Sequence, residues 1–274
     1  MKYLLLLTLL YAPLSFGQSA AQLQAQLGKK EQRMWGVTLV NTVSSTVLES
    51  DDYRSAQNAA FTGIFRYRGI MKGWNFRTMV AGTKDLTRAR EDRFTTAFLE
   101  LSTVVKSLSN DSVTTIFQGR ATPPVNDERR FRESHRGAAS GGLLFIVRPP
   151  NPKFSIIGLS RVTKNFHEFQ INRDFGYNTS VSLVNYAAVS YFPTGKWELG
   201  INVTNLQGWD YQGESGENSM FLGQTLGYNY SNNVIIQVGH ELGGRTYGYD
   251  QDSLDISLFD TDRSSVFASL TLNY

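Results

Sequence analysis

The sequence predicts an all-β chain closed into a transmembrane antiparallel up-and-down β-barrel of about 12 strands, with short turns at one end and long loops at the other. Three observations predict it. Segments of about ten residues, rich in Val, Ile, Thr, Phe and Tyr, alternate with period 2. The connections between them alternate short and long, and aromatic residues gather at the strand ends beside the short ones.

The N-terminus, "MKYLLLLTLLYAPLSFGQ", places a lysine before an apolar run and small residues (Ser15, Gly17) after it, the layout of a secretory signal. A membrane-anchoring helix needs about 20 apolar residues, more than this run offers. Residues 1–17 are therefore expected to be a signal peptide, cleaved near Gly17 or as far on as Ala21. Residues 18–33 follow as a polar periplasmic lead, and 34–274 as the barrel. Of the 274 residues 41% are hydrophobic and 19% charged, values that exclude little. The net charge of +3 is spread without a lysine block, which makes nucleic acid a poor partner. Cysteine is absent, which removes disulfides, thiolate nucleophiles and thiolate metal sites together.

Twelve segments follow, at about 34–46, 58–68, 73–83, 93–105, 112–121, 140–149, 153–163, 179–192, 196–207, 218–230, 232–243 and 263–274; ten or fourteen strands are the alternatives. The connections "GIMK", "KSLSND", "PPNP", "PTGK" and "SNN" are turn-like, and those between them are long. Such alternation fits tight periplasmic turns and long extracellular loops, whereas a soluble sandwich has no reason to sort its loops. Trp35, Tyr67, Trp74, Phe154, Tyr191, Trp197, Tyr228 and Tyr274 sit at the strand ends beside the short turns. Most share parity with the apolar set of their strand, as expected of a membrane-interface girdle.

The chain closes on "VFASLTLNY", where Val266, Ala268, Leu270, Leu272 and Tyr274 alternate with mostly small or polar residues. This stretch resembles the C-terminal insertion signal of Gram-negative outer-membrane β-barrel proteins, with Tyr in place of the commoner Phe. The resemblance implies an integral outer-membrane protein whose strand 266–274 is read by the barrel-assembly machinery and closes onto the first strand. Outer-membrane lipids and lipopolysaccharide are then its surroundings.

An arginine facing lipid at the bilayer midplane costs about 2–4 kcal/mol, so arginines inside strands should face the lumen. Arg66 and Arg77 alternate with Phe65, Tyr67 and Phe76; Arg68, Arg120, Arg148 and Arg161 lie nearer strand ends and follow the same argument. The predicted pore-lining set is Arg66, Arg77, Glu100, Gln118, Arg120, Glu198, Asn202 and Gln237, with Thr204 and Glu241 on the same face. These charges either pair and fill the lumen or leave a surplus of arginine that selects anions. The expected function is thus a narrow porin-like channel for small, anionic solutes, without cofactor or metal. The alternative is a plugged structural or adhesive barrel acting through its surface loops.

A catalytic reading rests on "GHELGGR", which resembles the His-x-Ser-Asn-Gly-Arg stretch of the outer-membrane phospholipase A family. His240 has lipid-facing parity, but Leu242 stands where the serine nucleophile should be and Gly243 replaces the asparagine. With no hydroxyl adjacent to activate, no catalytic residue is assigned, and a lipid hydrolase using His240 is the remote alternative. His135 and His167 are expected in surface loops. Asp250, Asp252, Asp255, Asp260 and Asp262 lack the glycine and closing glutamate of an EF-hand and read as a solvated acidic loop, with cation bridging to lipopolysaccharide as its alternative. Arg129, Arg130, Arg132 and Arg136 form its basic counterpart, available to lipid phosphates or to an approaching solute.

Overall fold

The computed structural model describes residues 34–48, 56–87, 93–216, 218–245, 260 and 263–274. The signal peptide, the polar lead and Asp250, Asp252, Asp255 and Asp262 lie outside the described residues. Twelve strands run in chain order: β1 Trp35–Thr46, β2 Gln57–Met71, β3 Trp74–Asp85, β4 Arg93–Val104, β5 Val113–Thr122, β6 His135–Val147, β7 Phe154–His167, β8 Thr179–Tyr191, β9 Trp197–Asp210, β10 Ser219–Asn229, β11 Val234–Arg245 and β12 Ser264–Asn273. Each pairs antiparallel with its sequence neighbour, and β12 pairs with β1, so the sheet closes into an all-β barrel. Closure leaves no open edge, as a strand array in hydrocarbon requires, because lipid offers no partner to backbone N–H and C=O groups.

The period-2 pattern sorts side chains between two environments. Outward positions carry exposed apolar groups such as Val43, Phe61, Leu99, Ile201, Val238 and Val266. Inward positions are withdrawn from solvent whether apolar or polar: Ile64, Ile157, Thr38, Glu100, Glu198 and Gln237 are all at most 2% exposed. That inversion, apolar outside and polar buried inside, is what a bilayer selects. Ile201, 58% exposed at mid-strand, gives a test. Ile201→Arg should lower unfolding free energy in lipid vesicles by about 2–4 kcal/mol, while Ser45→Arg, one residue from the end of β1, should cost about 0–1 kcal/mol. Equal costs in a denaturant titration would remove the membrane-depth assignment.

The girdle residues lie at the short-turn ends of their strands. Phe154 stacks at 4.9 Å on Tyr191, and Trp197 at 4.8 Å on Tyr228, joining neighbouring strands through their rings. The β2–β3 connection shows why these turns need particular residues: Gly73 holds φ at +82°, in the left-handed region that a Cβ disfavours.

The largest departure from the expected layout is at the opposite end. β6 begins at His135 and β7 runs to His167, so these histidines are paired strand residues (His135↔His167) and not loop residues. The intervening "RGAASGG" lacks large alternating side chains and hid the strand. The shortened β5–β6 loop contains one turn of helix, α1 (Asp127–Arg132), whose Asn126 cap accepts the Arg129 N–H at 3.0 Å.

Candidate functional site

The inward face of β2–β7 carries the described lumenal arginines. In register, Arg66 on β2 lies opposite Arg77 on β3, Arg77 opposite Glu100 on β4, and Glu100 opposite Arg120 on β5. One hydrogen-bond row of the sheet therefore presents three guanidiniums and one carboxylate to the lumen. Arg77 Nη2 meets Glu100 Oε1 at 2.8 Å and Oε2 at 2.9 Å. Arg120 meets Oε2 through Nη2 at 2.8 Å and Nε at 3.2 Å. Glu100 is thus gripped from both flanking strands, and it is 2% exposed.

Arg161 completes the group from β7. Its Nη2 donates to Gln118 Oε1 on β5 at 2.8 Å and stands 3.9 Å from Glu100 Oε2 on β4. These strands are not neighbours in the sheet; the side chains reach one another over the inner face of β6. Gly142 on β6, between Gln118 and Arg161 in register, makes the reach possible: a Cβ there would stand 2.6 Å from Ser160 O and 3.0 Å from Arg161 Cβ. Phe98, next on the inner face of β4, supplies a floor: the Arg120 guanidinium carbon lies 3.6 Å from its ring centroid and that of Arg77 5.3 Å. Ile64, Met79 and Ala81 pack with Phe98 into an apolar patch beside the arginines.

The charge does not balance within this group: four guanidiniums, Arg66 included, face one carboxylate. Among the described residues Arg66 bonds to the Thr38 hydroxyl. The buried Nε–H groups of Arg66, Arg77 and Arg161 have no acceptor among the described residues. Buried donors of this kind are normally satisfied, so the cluster has unused capacity for an anion.

The facing wall, β8–β12 with β1, has no described inward arginine or lysine. Glu198 (1% exposed) accepts from Ser190 Oγ at 2.7 Å, and Asn202, Thr204, Gln237, Ser269 and Thr271 are buried along the same wall. Glu241 lies on this inner face with Oε1 unpartnered among the described residues. The lumen is therefore polarised from side to side. Glu100, Gln118, Glu198, Asn202 and Gln237 of the expected set are buried, and Arg66, Arg77 and Arg120 share the inward side with them; the reach of Arg161 to Gln118 and toward Glu100 has no signature along one strand. Arg148 is corrected: it lies past the end of β6 and is exposed at the turn.

At the extracellular end the basic loop is neutralised internally. Arg129 pairs with Glu133 at 2.9 Å, Arg132 with Asp174 at 2.7 Å, Arg130 with Asp127 at 3.8 Å, and Arg136 with Glu168. The Asp174 hydrogen bond raises the Arg132 pKa above its ordinary value. The Arg132–Asp174 and Arg136–Glu168 pairs, with Asn178 Nδ2 donating to Glu133 O at 2.8 Å, tie the β5–β6 end to the β7–β8 loop. Asp174 and Glu168, distant in sequence, engage Arg132 and Arg136, while Arg129 and Arg130 pair with Glu133 and Asp127 of their own loop.

His240 is corrected in one respect. A hydroxyl does lie beside it: Ser264 Oγ on β12 is 2.9 Å from His240 Nε2. The serine comes from the adjacent strand and not from position 242. Ser264 is 2% exposed and its Oγ also accepts the Asp260 N–H at 3.3 Å. Among the described residues no group of three His, Asp or Glu side chains is placed to hold a metal ion.

No protein-family model matches the chain. No curated protein matches it either. Solved structures do. The COG4313 outer membrane channel from Pseudomonas putida F1 superposes with a TM-score of 0.56 at 10% identity, over 90% of this chain and 98% of that one. The NanC porin superposes with a TM-score of 0.53 at 10% identity, over 87% and 98%. At such identities the likeness is one of fold, a closed antiparallel β-barrel.

Proposed function

We propose that this barrel is a narrow outer-membrane channel that passes small anions along its arginine-bearing wall. The observation that carries the reading is the four-to-one excess of guanidinium over carboxylate around Glu100. Preorganised positive charge in a low-dielectric lumen favours anions and repels cations. Two structures of the same fold are named as a porin and an outer membrane channel, which supports passage over an inert shell. No step of this role needs a cofactor or a metal. The apolar outer wall would be bathed in outer-membrane lipid and lipopolysaccharide, and strand 266–274 would be the segment read by the assembly machinery.

The test is conductance of refolded protein, free of native porins, in a planar bilayer under a salt gradient. Discrete openings with a reversal potential on the anion side are expected. Cation preference would overturn the reading.

A second reading has its own support. Thr115, Ile157, Glu198 and Gln237 are 0–2% exposed, as in a barrel plugged by its own side chains, since twelve strands lie between the filled eight and the open sixteen. A folded but silent barrel would select this reading and send function to the extracellular loops. The His240–Ser264 pair supports lipid hydrolysis less well, because a nucleophile must reach its ester and this hydroxyl is covered. Any lipid turnover by pure protein that His240→Ala fails to abolish would close that route.

A further inference from the structure

Glu100 occupies the place where an anion would bind. One nitrogen of Arg77, Nη2, reaches both of its carboxylate oxygens, at 2.8 and 2.9 Å, and two donors of Arg120 reach Oε2, at 2.8 and 3.2 Å, with Arg161 3.9 Å away. That is a complete receptor for one carboxylate, built from β3, β5 and β7 and filled by a side chain of β4. The geometry points to Glu100 as an exchangeable internal counter-ion: an incoming small carboxylate replaces it between the guanidiniums, and in its absence Glu100 closes the path. The inference rests on the anion-channel reading and adds the ligand class and the residue that gates the site.

Three features support exchange over a permanent structural bridge. The cluster keeps a net positive charge with Glu100 in place, so a second anion enters a favourable field. The Nε–H groups of Arg77 and Arg161 have no acceptor among the described residues, which leaves donors for an arriving carboxylate before Glu100 departs. Finally, the Phe98 ring lies against Arg77 and Arg120 and holds both guanidiniums in place whichever carboxylate is bound.

Chemical rescue tests this without requiring conduction. Glu100→Ala removes a fragment of the size and charge of acetate and keeps the Cβ. The full-length barrel in detergent, scored by heat-modifiable migration and thermal melting, should lose stability on substitution and recover it with millimolar acetate. Chloride at equal ionic strength should not restore it. Acetate should bind Glu100→Ala at least tenfold more tightly than the wild type, where Glu100 competes. Glu100→Asp, which keeps the charge but shortens the arm by one methylene, should fold normally and bind acetate with intermediate affinity. Equal acetate response in wild type and both variants, or none in any, overturns the proposal. Conduction without rescue would discard the counter-ion and keep the channel. Rescue in a barrel that never conducts would keep a carboxylate site and discard the channel.

Discussion

Arg66→Glu should carry the reversal potential of the open barrel from the anion toward the cation side, and adding Arg77→Glu should complete the inversion. Each substitution changes the local charge by two. At roughly 4 Å and an effective dielectric near 20, a unit charge is worth about 4 kcal/mol, and every 1.4 kcal/mol is tenfold. Even with most of that screened by lumenal water, a change of about tenfold or more in the anion-to-cation permeability ratio follows. The two residues are not equivalent. Arg66 contacts the Thr38 hydroxyl and none of the described carboxylates, so its reversal alters the field while leaving the Glu100 bridges in place. Arg77 is one of those bridges, and Arg77→Glu sets a second carboxylate against Glu100. The single Arg66→Glu measurement is therefore the cleaner test, with Arg66→Gln expected halfway. An unchanged reversal potential in folded Arg66→Glu would mean that the arginine wall does not border the conducting path.

Most of the barrel was legible because lipid outside and polar lumen inside impose opposite demands on successive residues, and a strand of Val, Phe and Trp alternating with Arg, Glu and Asn records them. Where the demand is weak the record fails. Ala138–Gly142 has small side chains on both faces, so the start of β6 was missed and His135 and His167 were misplaced. The paired strands "GGLLFIVR" and "FSIIGLSR" bury apolar groups inward, as Leu144, Ile146 and Ile157 do, so the parity of Arg161 carried little weight. Contacts that skip strands are a different matter. That Arg161 reaches Gln118 and Glu100, or that Ser264 meets His240, depends on register and curvature, which no single strand encodes. Bulges add to this: the shifts between Ala81 and Gly82 and between His135 and Gly137 reset parity within a strand.

Deleting residues 264–274 should abolish the folded barrel altogether, whereas Tyr274→Ala should impair only its delivery. β12 pairs with β11 from Val234↔Leu272 to Leu242↔Ser264 and with β1 from Thr38↔Asn273 to Thr46↔Ser265. Without it both neighbours present a row of unpaired backbone groups to hydrocarbon, at several kcal/mol each, and no side-chain repacking offsets that. No heat-modifiable species should form in cells or in vesicles. Tyr274 is different: its ring is 61% exposed, while its backbone exchanges bonds with Val37, at 3.1 Å through the carbonyl and 2.8 Å through the N–H. Alanine keeps those bonds, so refolding into vesicles and the melting temperature should stay close to wild type. If the terminal aromatic is a recognition element, the amount of assembled barrel in the outer membrane should nonetheless fall several-fold. An equal loss in purified refolding would show instead that the ring serves the fold, as one more member of the girdle.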